Sequence, residues 1–167
     1  MNFTNLVKRI VLLGLSIFVL CLPVIAENIF YASVSRVPND FFGSWRVVAK
    51  RVSTDSSQTF KQKTVDIWNL FETNNVIKLS NPFTGAEAEL KIEDSSEKSV
   101  VFSKTGKSGN KVLTDRVEIT INGDEFIGFD SLQLDTISGV DVSVIKSETA
   151  VYVVKGERIA GQEILGD

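Results

Sequence analysis

The chain contains no histidine and only one cysteine in 167 residues. Without histidine it lacks the commonest metal ligand, proton shuttle and general base. The cysteine, Cys21, lies inside an apolar N-terminal run, so the chain downstream of it has no thiol to pair. An internal disulfide, the usual zinc ligand sets and Cys–His or Ser–His nucleophile pairs are therefore excluded. Positive charge is also short, with 18 basic residues against 21 acidic ones. Nucleic acid and anionic membrane surfaces call for clustered positive charge, so neither is expected as a partner. No catalytic constellation, metal site or cofactor motif is expected, and the chain is not read as an enzyme.

The N-terminus has the three parts of a secretory signal in order. Lys8 and Arg9 precede a nearly unbroken apolar run over residues 10–22, softened only by Gly14, Ser16 and Cys21. Pro23 ends the run, and Val24-Ile25-Ala26 puts a small residue at the cleavage point. This pattern predicts a signal peptide over residues 1–26, a mature chain starting at Glu27, and export to the periplasm or the extracellular space. A membrane span needs about 17–25 apolar residues. The run is shorter than that, so no stable span is expected after cleavage. Bulky Val19 and Leu20 before Cys21 do not suit a lipid-modified cysteine. Loss of Lys8 and Arg9 leaves the mature chain more acidic than the full sequence.

Residues 27–42 read as a tether ending in a short helical turn, where Pro38 fixes one φ angle and Asn39 or Asp40 stands ready to cap. From Gly43 the hydrophobic period is two. Trp45, Val47 and Ala49 alternate with Arg46 and Lys50, and further strands follow at residues 64–71 and 76–79. Ala86, Ala88, Leu90 and Ile92 then share one face opposite Glu87, Glu89, Lys91 and Glu93, the alternation of an antiparallel strand with one wet side. After a turn at residues 94–97 the chain returns over 98–104, and residues 105–110 read as a flexible polar loop. Leu113, Asp115, Val117, Ile119 and Ile121 form the inner face of the next strand. Asn122-Gly123 predicts a type I′ hairpin turn into a strand over 125–134. Residues 140–145 are a further candidate, and residues 149–155 make a last strand ended by Gly156.

Eight or nine short strands joined by tight turns, with no long helix, predict an all-β fold. Such strands hide their edges by closing into a barrel or by pairing two sheets. Sequential hairpin connections favour an antiparallel up-and-down barrel over residues 43–158, followed by a tail at 159–167. The alternative is a β-sandwich, which would need Greek-key crossings.

Gly43-Ser44-Trp45, opening the first strand just after a short helical turn, resembles the start of the lipocalin and wider calycin family. In that family the tryptophan plugs the closed end of an eight-stranded barrel, and an arginine after the last strand packs across its ring. Arg158, in Lys155-Gly156-Glu157-Arg158, stands where that arginine would. The resemblance implies a barrel-end pair of Trp45 and Arg158, and an interior that accepts a small apolar or amphipathic molecule. The family's Thr-Asp-Tyr motif is missing, since the corresponding turn is Ile121-Asn122-Gly123-Asp124. Only nine residues follow Arg158, too few for the family's C-terminal helix.

Other motifs dissolve on inspection. Gly106-Lys107-Ser108 ends like a phosphate loop, but Val101 occupies the position of its first glycine and no helix follows. Ser95-Ser96-Glu97-Lys98 and Lys104-Thr105-Gly106 stand too close together for a penicillin-binding fold. Asp124, Glu125, Asp130, Asp135 and Asp141 read as a solvated face, not as a calcium loop. Asp115 is different because it interrupts an apolar face. Either it anchors a polar ligand group or it sits hydrated near the barrel mouth. Trp68 and Phe102, if inward, would line a cavity beside small Ala49, Ala86 and Ala88. The function expected is small-ligand binding, and the alternative is a structural or partner-binding envelope domain whose core is filled by its own side chains.

Overall fold

The computed structural model describes residues 37–160. The expected signal peptide, its cleavage point between Ala26 and Glu27, the tether up to residue 36 and the tail beyond Ala160 lie outside the described residues. The strands within them are β1 (Gly43–Thr54), β2 (Lys63–Thr73), β3 (Val76–Ser80), β4 (Glu87–Glu89), β5 (Lys91–Ser95), β6 (Ser99–Ser108), β7 (Lys111–Asn122), β8 (Glu125–Ile137) and β9 (Val144–Ala160). All pairings are antiparallel and form one sheet in the order β4-β3-β2-β1-β9-β8-β7-β6-β5. The fold is an up-and-down β-barrel, and a two-sheet sandwich does not form.

Closure depends on a strand that changes partners. β4 and β5 stand at opposite ends of the sheet order but are joined in the chain through Leu90 alone. Residues 87–89 pair with β3, Leu90 N–H donates to the Ile77 carbonyl at 2.8 Å, and residues 91–95 pair with β6. One course of chain thus serves both edges, giving eight courses around the barrel. The alternation read over Ala86–Ile92 predicted this strand but not the break at Leu90, which is buried.

Two of the turns differ from expectation, and a third is one whose type the sequence leaves open. The positive φ at both Asn74 and Asn75 (53° and 62°) gives the β2–β3 hairpin the type I′ pattern. At the β7–β8 hairpin Asn122 already pairs with Glu125, so the loop is Gly123-Asp124 with positive φ at Gly123 only, the type II′ pattern. The polar stretch over residues 105–110 is mostly strand, because Thr105, Gly106, Lys107 and Ser108 continue the ladder to β7 and only Gly109-Asn110 turns. Residues 140–143 are not strand either; Val140 and Val142 are exposed in the β8–β9 loop.

Gly156 does not end the last strand. β9 runs on to Ala160, so Arg158 lies within it and not after it. The missing side chain makes room for an aromatic ring: a Cβ at Gly156 would come within 2.1 Å of the Phe126 ring, which packs over this strand. Phe126 is itself held edge-on to Trp45 at 5.0 Å and stacked with Trp68 at 5.8 Å, so it cannot swing clear. Gly156→Ala is expected to cost about 1–3 kcal/mol by overpacking, read as a lower midpoint in urea unfolding; an unchanged midpoint would show that the ring has room to move.

The closed end is stoppered by a 3₁₀ turn at Asn39–Phe41. Pro38 occupies the cap position and no side chain caps the turn, so neither Asn39 nor Asp40 takes that role. Phe41 is fully buried and packs against Phe42 and Phe102, each with ring centroids 5.7 Å apart.

Candidate functional site

Alternation divides the barrel interior into layers. The bottom layers are apolar and aromatic. Trp45, wholly buried, donates its indole N–H to the Phe41 carbonyl at 3.1 Å. Its direct cross-strand neighbours are Trp68 on β2 and Arg158 on β9. The Arg158 guanidinium carbon stands 4.1 Å from the Trp45 ring centroid. The same guanidinium donates to the carbonyls of Phe42 (2.7 Å) and Asp40 (2.6 Å) and to Asp124 Oδ1 (3.1 Å). Arg158 therefore ties the 3₁₀ turn, the β7–β8 hairpin and the indole together, and these contacts make the pair an end-closure device.

Trp68 and Phe102 do face inward, but as filling. Phe102 is completely buried, and Trp68 lies between Phe102 and Phe126. Neither belongs to the lining of the seam cavity described below. Bulky aromatics from four strands, Trp45, Trp68, Phe102 and Phe126, meet at this level.

One layer above, the interior becomes polar. Lys104 on β6 is directly opposite Asp115 on β7, and the two form an ion pair. Asp130 on β8 is directly opposite Tyr152 on β9, which in turn faces Arg51 on β1. Asp66 on β2 shares the level, at the exposed rim. Asp115 is 6% exposed and Asp130 9%. Asp115 is thus paired and buried. Asp130 was missed: counted in a solvated run, it belongs to the inward face with Phe126 and Leu132. Its inward phase from Phe126 was legible in the sequence, but the neighbouring carboxylates masked it.

Burial pushes the Asp130 carboxyl up to about 6, against an opposing pull from the Lys104 charge. The same burial lowers the Lys104 ammonium from its ordinary value, while Asp130 and Asp66 act to hold it up. The donors of the layer are otherwise engaged. Arg51 donates to the carbonyls of Phe60 and Ser57, and the Tyr152 hydroxyl to that of Lys61 at 2.8 Å, so both tie down the β1–β2 loop at residues 55–62. The Asn81 amide donates to Asp66. Glu148 anchors the same loop by accepting from Ser56 and Thr59. Those two hydroxyls, with Lys146, hold its carboxyl down at about 2.

The barrel wall is incomplete at this level. β6 is paired to β5 only as far as Ser103, opposite Lys91, while β4 is hydrogen-bonded to β3. Above that point, among the described residues, no strand pairing joins β4 to the upper half of β6, although the two strands approach each other. A cavity of ≈ 400 Å³ occupies this seam. Leu79, Ala86, Ala88 and Leu113 give it apolar walls, and Lys104, Asp115 and Asp66 give it charge. A larger hollow of ≈ 670 Å³ lies on the outer wall along β1 and β9, but its lining is outward-facing Val48, Lys50, Val52 and Lys155 and the charges there are solvated.

The chain matches no protein-family model, no curated protein and no solved structure. The site must be read from its own geometry. Among the described residues no three carboxylate, thiol or imidazole groups are placed to hold a metal ion, and no helix is long and apolar enough to cross a membrane.

Proposed function

We propose that this chain is an exported, non-catalytic, lipocalin-like protein that holds a small apolar or amphipathic molecule in the seam of its barrel. The observation that carries the reading is the ≈ 400 Å³ cavity between β4 and β6, whose size falls within the roughly 300–1,000 Å³ range of small-molecule sites. Its lining combines apolar side chains with a few converging polar groups, the usual composition of such a site. The aromatic plug below limits the ligand to the upper half of the barrel, so a short molecule fits and a long acyl chain does not.

The same plug favours a second reading, a structural envelope domain with a self-filled core. Native mass spectrometry of protein recovered from its own host separates the two. The ligand-binding reading expects one added small-molecule mass, released on denaturation. A bare polypeptide mass, with no uptake from a panel of small amphiphiles, would sink it in favour of the envelope domain.

A further inference from the structure

The seam cavity has unequal numbers of donors and acceptors. Asp115 uses one oxygen to pair with Lys104, and its Oδ1 is buried with no hydrogen-bond partner among the described residues. Asp130 Oδ1, one strand away, is in the same condition. A buried carboxylate oxygen without a donor is costly, and native structures rarely leave one so. The donors that could have served them are engaged elsewhere: Arg51 and Tyr152 on loop carbonyls, Asn81 on Asp66. Three carboxylates, Asp66, Asp115 and Asp130, stand at this level against two cations, Lys104 and Arg51, and the Arg51 guanidinium is engaged by loop carbonyls. The surplus is one of acceptors and of negative charge.

Building on the ligand-binding reading above, we propose that the seam cavity takes the cationic head of an organic amine, its N–H groups donating to the Asp115 carboxylate that lines it and its apolar body lying against Leu79, Ala86, Ala88 and Leu113. Asp66, at the exposed rim, attracts the cation on entry. Asp130 stands behind Asp115 and adds to the negative field without lining the cavity. An inorganic cation is disfavoured because the carboxylates are not grouped to coordinate one. A fatty-acid carboxylate is disfavoured because Lys104 is already paired and the acid would meet Asp115 and Asp66.

Calorimetric titration of the purified protein with octylamine, 1-octanol and sodium octanoate at pH 7.5 tests this. The three probes share an apolar body and differ only in the head. Octylamine should bind about tenfold or more tighter than 1-octanol, the ratio expected for a hydrogen bond to a buried charge, and octanoate should bind most weakly. Asp115→Asn should bring octylamine down to the level of 1-octanol while leaving 1-octanol unchanged. Equal affinities for octylamine and 1-octanol, or octanoate as the tightest ligand, would overturn the cationic assignment and leave the cavity reading standing. Failure of all three to bind would count against the cavity reading itself. Should Asp115→Asn not fold, the ranking on the unaltered protein decides the question alone.

Discussion

Trp45→Ala is expected to lower stability by about 3–5 kcal/mol, the cost of truncating a fully buried large aromatic. The loss has three parts: the cavity left under the β1–β9 pair, the edge contact with Phe126, and the indole N–H bond that holds the 3₁₀ turn. Losing the indole also strips the Arg158 guanidinium of the face it covers, a contact worth about 0.5–2 kcal/mol. Chemical denaturation gives the total. A double-mutant cycle with Trp45→Phe and Arg158→Met gives the coupling, which should exceed the scatter of about 0.3–0.5 kcal/mol seen for independent sites. A Trp45→Ala variant with an unchanged denaturation midpoint would mean that the closed end is held by the Arg158 hydrogen bonds to the turn and not by the indole.

Asp130→Asn should act in the opposite direction and raise stability at pH 7, by up to about 3 kcal/mol. The sign follows from the raised carboxyl, near 6 in the folded chain against an ordinary value of 3.8. Between those values the folded chain holds a proton that the unfolded chain has released. Stability from this group therefore grows as pH falls through about 6 toward 4 and is lost as pH rises through 6. The gap of about two units corresponds to the 3 kcal/mol ceiling. The groups facing Asp130 are Lys104, Tyr152 and, one strand away, Asp115, and only the first opposes the penalty with positive charge. Glu148 pulls the other way at lower pH: held near 2, it contributes stability above about 4.5 that disappears as pH falls toward 2. The unaltered protein should therefore be most stable near pH 4 to 4.5 and decline as pH rises toward about 6, and Asp130→Asn should flatten that decline. Urea midpoints at pH 5 and 7 for both proteins check this. A variant no more stable than its parent at pH 7 would show that Lys104 fully compensates the buried charge.

The placement of the polar layer explains why the two predictions differ in sign. Trp45 sits where apolar side chains of several strands converge, and removing it opens a void. Asp130 sits where carboxylates outnumber their donors, and neutralising it relieves a penalty. Both residues lie on inward faces of the same barrel.

The sequence alone determined the all-β class, the up-and-down order and the inward phase of most strands, because a period of two in apolar residues records which face is buried. Trp45, Val47 and Ala49, or Val117, Ile119 and Ile121, needed nothing further. It also placed Asp115 on an inner face. Three things were decided only by the tertiary structure. Gly156 reads locally as a stop, but the Phe126 ring covers it from 30 residues away, and β9 continues. The sequence leaves open whether Trp68 and Phe102 face inward, and aromatics from other strands meet them in the core. Asp130 reads as one of a run of solvated carboxylates, yet the β7–β8–β9 register turns it inward beside Lys104 and Tyr152. In each case the deciding partner lies on another strand, and local alternation carries a side chain's direction but not what stands across from it.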